Sequence, residues 1–223
     1  MSTITHPQAR PLSTRGAPTH ALLGGGILAG PLFALGSLLH GFTREGFDVT
    51  RHGISMLLLG SRGWIQFLIF ELAGFLIVAT AAGARRVLHP GRAGTWGPLL
   101  IGGYGLGLII AGIFPPDPAF GFPPGTPDSM PAMTANGSLH AVGFFVSMLS
   151  FIAGGIVLAR RFFARRERGW GTYSAASAVA TPVLVILSIV LAPHGGIALV
   201  GVLLVTGGWI AAVSAKLRAE SGN

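Results

Sequence analysis

Four imidazoles and four oxygen-bearing side chains stand out in a chain that is otherwise poor in chemistry. His40, His52, His140 and His194, with Asp48, Asp117, Ser55 and Glu71, are the candidates for metal ligation and catalysis. Three imidazole nitrogens and an open position holding water make a catalytic zinc site. Such a metal brings the pKa of its water toward roughly 7 and polarises a carbonyl or phosphoryl group. The histidines therefore form the expected metal set, with zinc the favoured ion, and Ser55, Asp48, Asp117 and Glu71 the expected catalytic set. The chain has no cysteine, so thiolate nucleophiles, thiolate ligands and disulfides are excluded.

Asp48, Arg51, His52 and Ser55 fall at i, i+3, i+4 and i+7 in the run DVTRHGIS. On a helix these positions share one face, so the run is expected to be a short amphipathic helix leading into the second span. Gly53 opposes this by about 1 kcal/mol. A pairing of Asp48 with Arg51 across one turn accounts for the same residues without any chemistry. Glu71 is different: it lies eight residues into an apolar segment, about 12 Å deep at 1.5 Å per residue. A carboxyl at such depth is costly and marks a functional hypothesis, with Arg51 or His40 as its expected partner.

The elements that must position these residues are membrane helices. Hydrophobic residues make up 51% of the 223 positions and charged residues only 10%, against about 25% charged in soluble domains. Apolar segments run from Ala21 to Gly41, Gly63 to Gly83, Gly97 to Phe114, Ser138 to Ala159, Tyr173 to Ala192 and Ile197 to Ala215. Each suits a hydrocarbon core of roughly 30 Å, and backbone saturation in lipid demands helices. The fold class is therefore all-α, a six-transmembrane-helix bundle. Residues 1–19 are expected to form a disordered N-tail, 20–215 the membrane domain and 216–223 a C-tail.

Charge sets the orientation. Of the 15 basic residues, only Arg44, Arg51 and Arg62 lie in the first, third or fifth connection. The others flank the N-tail, the second and fourth connections and the C-tail, so the positive-inside rule makes both termini cytoplasmic. The net charge of +8 is thus a topology signal, with no nucleic-acid partner implied, and the bacterial plasma membrane is the expected location. Arg160, Arg161, Arg165 and Arg166 could hold anionic headgroups, at about 1 kcal/mol per basic residue. His40, His52, His140 and His194 all fall on the opposite, outer side.

Gly26 and Gly30, like Gly103 and Gly107, have the spacing that lets helices approach closely, within one chain or between copies. Pro31 and Pro182 fall inside spans one and five, and a proline-rich stretch from Pro115 to Met133 is either an ordered loop or a lid.

Together, GFDVTRHGIS, the histidine ending span one, AGIFPPDP and SLHAVGFF resemble the bacterial and archaeal membrane family catalogued as domain of unknown function 998, over roughly residues 20–215. Where that family has serine-x-leucine-glycine, Ser55 and Gly60 here are separated by a longer MLLL run. The resemblance implies six membrane helices and no established activity. Two functions stay open: a metal-dependent hydrolase acting on a lipid, or a non-catalytic protein such as an accessory subunit, a pH sensor or a proton-linked transporter, alone or as an oligomer.

Overall fold

The computed structural model describes residues 17–222. Six helices account for most of them: α1 (Ala17–Phe42), α2 (Gly63–Leu88), α3 (Arg92–Ile113), α4 (Ala135–Ala164), α5 (Arg168–Val190) and α6 (Gly196–Glu220). All six are long and apolar enough to cross a membrane. Five ends overrun the hydropathy segments by five residues each, all at the arginine-rich connections or the C-tail: the end of α2, the start of α3, the end of α4, the start of α5 and the end of α6. Residues 1–16 of the expected N-tail lie outside the described residues.

Each helix packs on its neighbour in sequence, and α6 closes the ring against α1. Glycines set the closeness of that packing. A Cβ on Gly30 would overlap the Gly207 carbonyl of α6, and one on Gly26 would meet Ser214 and Thr80. Gly107 is equally crowded by Ser147 and Gly143 of α4, and Gly103 by Ser150. All four spaced glycines are therefore used inside the bundle. Pro31 and Pro182 both lie within helices, and Thr181 Oγ1 donates to the Ser177 carbonyl at 2.9 Å beside the amide that Pro182 lacks.

At one end, the connections 43–62 and 114–134 interlock into a cap. Met56, Leu57, Ala119 and Phe122 form a small core of their own, with Phe47 packed on it. Arg44 donates to the Leu59 carbonyl at 2.7 Å and lies over the Phe122 ring. The Gly196 amide, at the start of α6, donates to the Thr50 carbonyl at 3.0 Å. The opposite end, the basic face, carries most of the arginines.

DVTRHGIS is not a helix. Asp48 Oδ1 accepts from the Thr50 amide at 2.8 Å and from Thr50 Oγ1 at 2.7 Å. The Asp48 carbonyl accepts from the Arg51 and His52 amides, which closes a tight turn. Gly53 is extended, and a short 3-10 helix follows at Ile54–Leu58. The aspartate side chain competes with helical hydrogen bonding, so the expected stripe breaks at Gly53. Arg51 pairs with Asp128 at 2.6 Å, not with Asp48 or Glu71.

Candidate functional site

The eight candidate residues separate into distinct environments. His52 is 3% exposed and uses both ring nitrogens. Nδ1 accepts from the Asp48 amide at 2.9 Å, so Nε2 carries the proton and donates to the Phe120 carbonyl at 3.0 Å. The ring lies between Phe47 and Phe122. Asp48 is spent on its turn, and the Thr50 hydroxyl and amide hold its carboxyl below the usual carboxylate range.

Asp117 fastens the cap to α4. Its Oδ2 accepts from the Thr134 amide at 2.8 Å and its Oδ1 from Thr134 Oγ1 at 2.5 Å. Thr134 Oγ1 in turn accepts from the Gly137 amide, an ordinary helix N-cap. His194 is exposed in the turn before α6.

His40 lies in a buried relay between α1 and α2. Its Nδ1 donates to Gln66 Oε1 at 3.2 Å, and Gln66 Nε2 donates to Ser37 Oγ at 2.8 Å. Nε2 of His40 is buried without a partner. Glu71 is 9% exposed, and its Oε1 also has no partner. It points at Gly112 of α3, where a Cβ would stand 2.6 Å from that oxygen. The expected pairing of Glu71 with His40 or Arg51 is not formed.

Asp48 and His52 meet through the Asp48 amide, and of the eight candidates only His140 and Ser55 line a common cavity. A chamber of ≈ 80 Å³ lies beneath the cap, walled by Phe33, Phe70, Leu108, Phe144, Leu199 and Val202. Ser55 from the cap, His140 and Ser147 from α4, Tyr104 from α3 and Thr206 from α6 are its polar lining. Apolar walls with a few placed polar groups are the usual composition of a ligand site. This volume holds several waters or the polar end of a larger ligand.

The end of α3 fixes the His140 ring. Its Nδ1 is 2.9 Å from both the Ala111 and the Phe114 carbonyl oxygens, acceptors that the last turn of a helix leaves open. Carbonyls only accept, so Nδ1 carries the proton and Nε2 of the neutral ring is a bare lone pair. Ser147 Oγ donates to the Tyr104 carbonyl at 2.9 Å and ties the same two helices further in.

Among the described residues, no three of His, Cys, Asp and Glu stand together as a metal set. Sequence reading missed Gln66, Tyr104 and Thr206 as polar lining or relay residues. The signal for the α4 wall was present: His140, Phe144 and Ser147 are spaced i, i+4 and i+7, one face of a helix.

On the basic face, Arg161 and Arg165 of the expected headgroup cluster are taken up by internal pairs. Glu167 bonds Arg165 and Lys216, both at 3.0 Å, and Glu220 reaches Arg161, Arg165 and Lys216 within 3.9 Å. Arg160 and Arg166 are exposed.

This arrangement defines a multi-pass membrane bundle with a structured cap and a small polar-ended chamber beneath it. The chain belongs to the DUF998 family of proteins of unknown function, whose model it matches over residues 27–216. No curated protein and no solved structure matches it.

Proposed function

We propose that the protein is a membrane-embedded binder of an amphiphile, seated with its polar group at Ser55 and His140 and its apolar part between α4 and α6. One observation carries this reading: the cap serine and the α4 histidine line the same largely apolar chamber. The positive-inside rule supports a cytoplasmic basic face, hence cytoplasmic termini, an outer cap and a plasma-membrane location.

The test uses a photoactivatable fatty acid with an alkyne handle, irradiated with the protein in mild detergent. Crosslinks are expected on peptides spanning 140–148 and 199–206, and are lost in Ser55→Leu, which narrows the chamber. Labelling confined to the exposed face of α5, Val179, Ile186 and Ile189, overturns the reading.

A hydrolase is the second reading, favoured by the fixed His140 tautomer. Ser55 Oγ would attack an ester carbonyl carbon while its proton passes to His140 Nε2, and the alcohol would leave with that proton; water then releases the acid. Fatty-acid release from a lipid ester that exceeds that of Ser55→Ala and His140→Asn supports it, and equal release removes it. Zinc chemistry would need two nitrogens beside His140 from outside the chamber. About one zinc per chain, in protein prepared without chelator and lost in His140→Asn, would establish it over the metal-free reading.

A further inference from the structure

The strongest unassigned feature lies on the lipid-facing side of α2 and α3, away from the chamber. A groove of ≈ 660 Å³ runs between them, lined by Val78, Ala81, Leu99, Gly102 and Leu106, with Arg85 and Thr95 at its basic end. Its course from Thr95 to Leu106 covers twelve residues of α3, eleven steps and so about 16 Å of helix rise. That is about half of a hydrocarbon core of roughly 30 Å, the depth of one leaflet.

The polar end is built for an anion. Arg85 NH1 donates to the Gly94 carbonyl at 2.5 Å and reaches Thr95 Oγ1 at 3.4 Å, which holds the guanidinium beside the first turn of α3. That turn has no side-chain cap; the Gly94 amide is taken by the Gly91 carbonyl at 3.0 Å, which leaves the Arg92 and Ala93 amides as donors of the kind that bind phosphate. Arg86 and Arg92 are exposed beside it. Charge is distributed unevenly across the basic face. Glu167 pairs with Arg165 and Lys216 and Glu220 with Arg161, Arg165 and Lys216, while Arg85, Arg86 and Arg92 pair with no carboxylate among the described residues.

We propose that this groove holds one acyl chain of an anionic phospholipid, with the phosphate on Arg85 and the first turn of α3. The groove supplies shape and the unpaired arginines supply charge selection. The anionic-lipid site therefore lies at the α2–α3 connection and not at the α4–α5 connection, where internal carboxylates have neutralised two of the arginines. This inference is independent of what the chamber binds.

Native mass spectrometry of the full chain, titrated with phosphatidylglycerol or phosphatidylcholine, tests it. Two variants probe the two halves of the site. Arg85→Gln removes the charge. Gly102→Leu fills the groove, and a Cβ there has only the Ala81 Cβ near it, at an ordinary 3.6 Å. Phosphatidylglycerol binding is expected to fall about fivefold in Arg85→Gln, the factor that corresponds to 1 kcal/mol per basic residue. It falls at least as far in Gly102→Leu and stays unchanged in Arg160→Gln, with unfolding midpoints showing that all three variants are folded. Equal binding of the two lipids by the wild type, unchanged binding in the folded groove variants, or an equal loss in Arg160→Gln overturns the proposal.

Discussion

His52 donates from Nε2 to the Phe120 carbonyl oxygen at 3.0 Å, joining cap segments 68 residues apart. With Nδ1 accepting from Asp48, a single ring holds a turn closed on one side and a second loop down on the other. Replacing His52 by Ala strands both groups, at a cost of about 1–3 kcal/mol. Asp128→Asn removes only the pair with Arg51, whose carboxylate is 65% exposed, worth at most about 1 kcal/mol. Trypsin cleavage at Arg51 in detergent is expected to accelerate strongly in the first variant and little in the second. Equal acceleration would place the cap's stability in the ion pair.

The fold was legible in the sequence where one-dimensional signals suffice. Apolar runs marked the helices, whereas the i, i+4, i+7 spacing of His140, Phe144 and Ser147, the one pattern that bears on the chamber wall, went unread. The site was less legible, because grouping histidines by side says nothing of depth or rotation. His40 and His140 both sit near helix ends, yet one faces Gln66 and the other the end of α3. The cap was misread for a related reason. Its hydrogen bonds are non-local, and the Thr50 contacts of Asp48 outweigh a helical stripe already weakened at Gly53.

Asp48 makes the cap weakly acid-sensitive. Its carboxyl is held below the usual range by Thr50, so its stabilisation is full above the unfolded-state value of about 3.9 and fades as pH falls through the lower folded value. The unfolding midpoint of the wild type is expected to exceed that of Asp48→Asn by a constant amount down to about pH 4. The gap closes in stronger acid. A gap that widens with acid would mean that the carboxylate opposes the turn.

Glu71 and Gly112 are expected to be coupled. Gly112→Ala places a Cβ 2.6 Å from Glu71 Oε1 and 2.8 Å from the Phe70 Cβ, an overpacking that costs about 1–3 kcal/mol. Glu71→Ala relieves one of the two clashes, so a double-mutant cycle in thermal or denaturant unfolding should show an interaction of at least about 0.5 kcal/mol. Strict additivity would mean that the carboxyl does not occupy the notch left by Gly112.

The closure of α6 on α1 sets a clock for biogenesis. Phe33 belongs to the first helix, and Leu199, Val202 and Thr206 belong to the last. The chamber therefore has no complete wall while the chain is still being made, however well the earlier spans have settled in the bilayer. Until α6 arrives, the face of α1 that carries Gly30 must be shielded by lipid or by the insertion machinery, and the chamber can close only after α6 has been made.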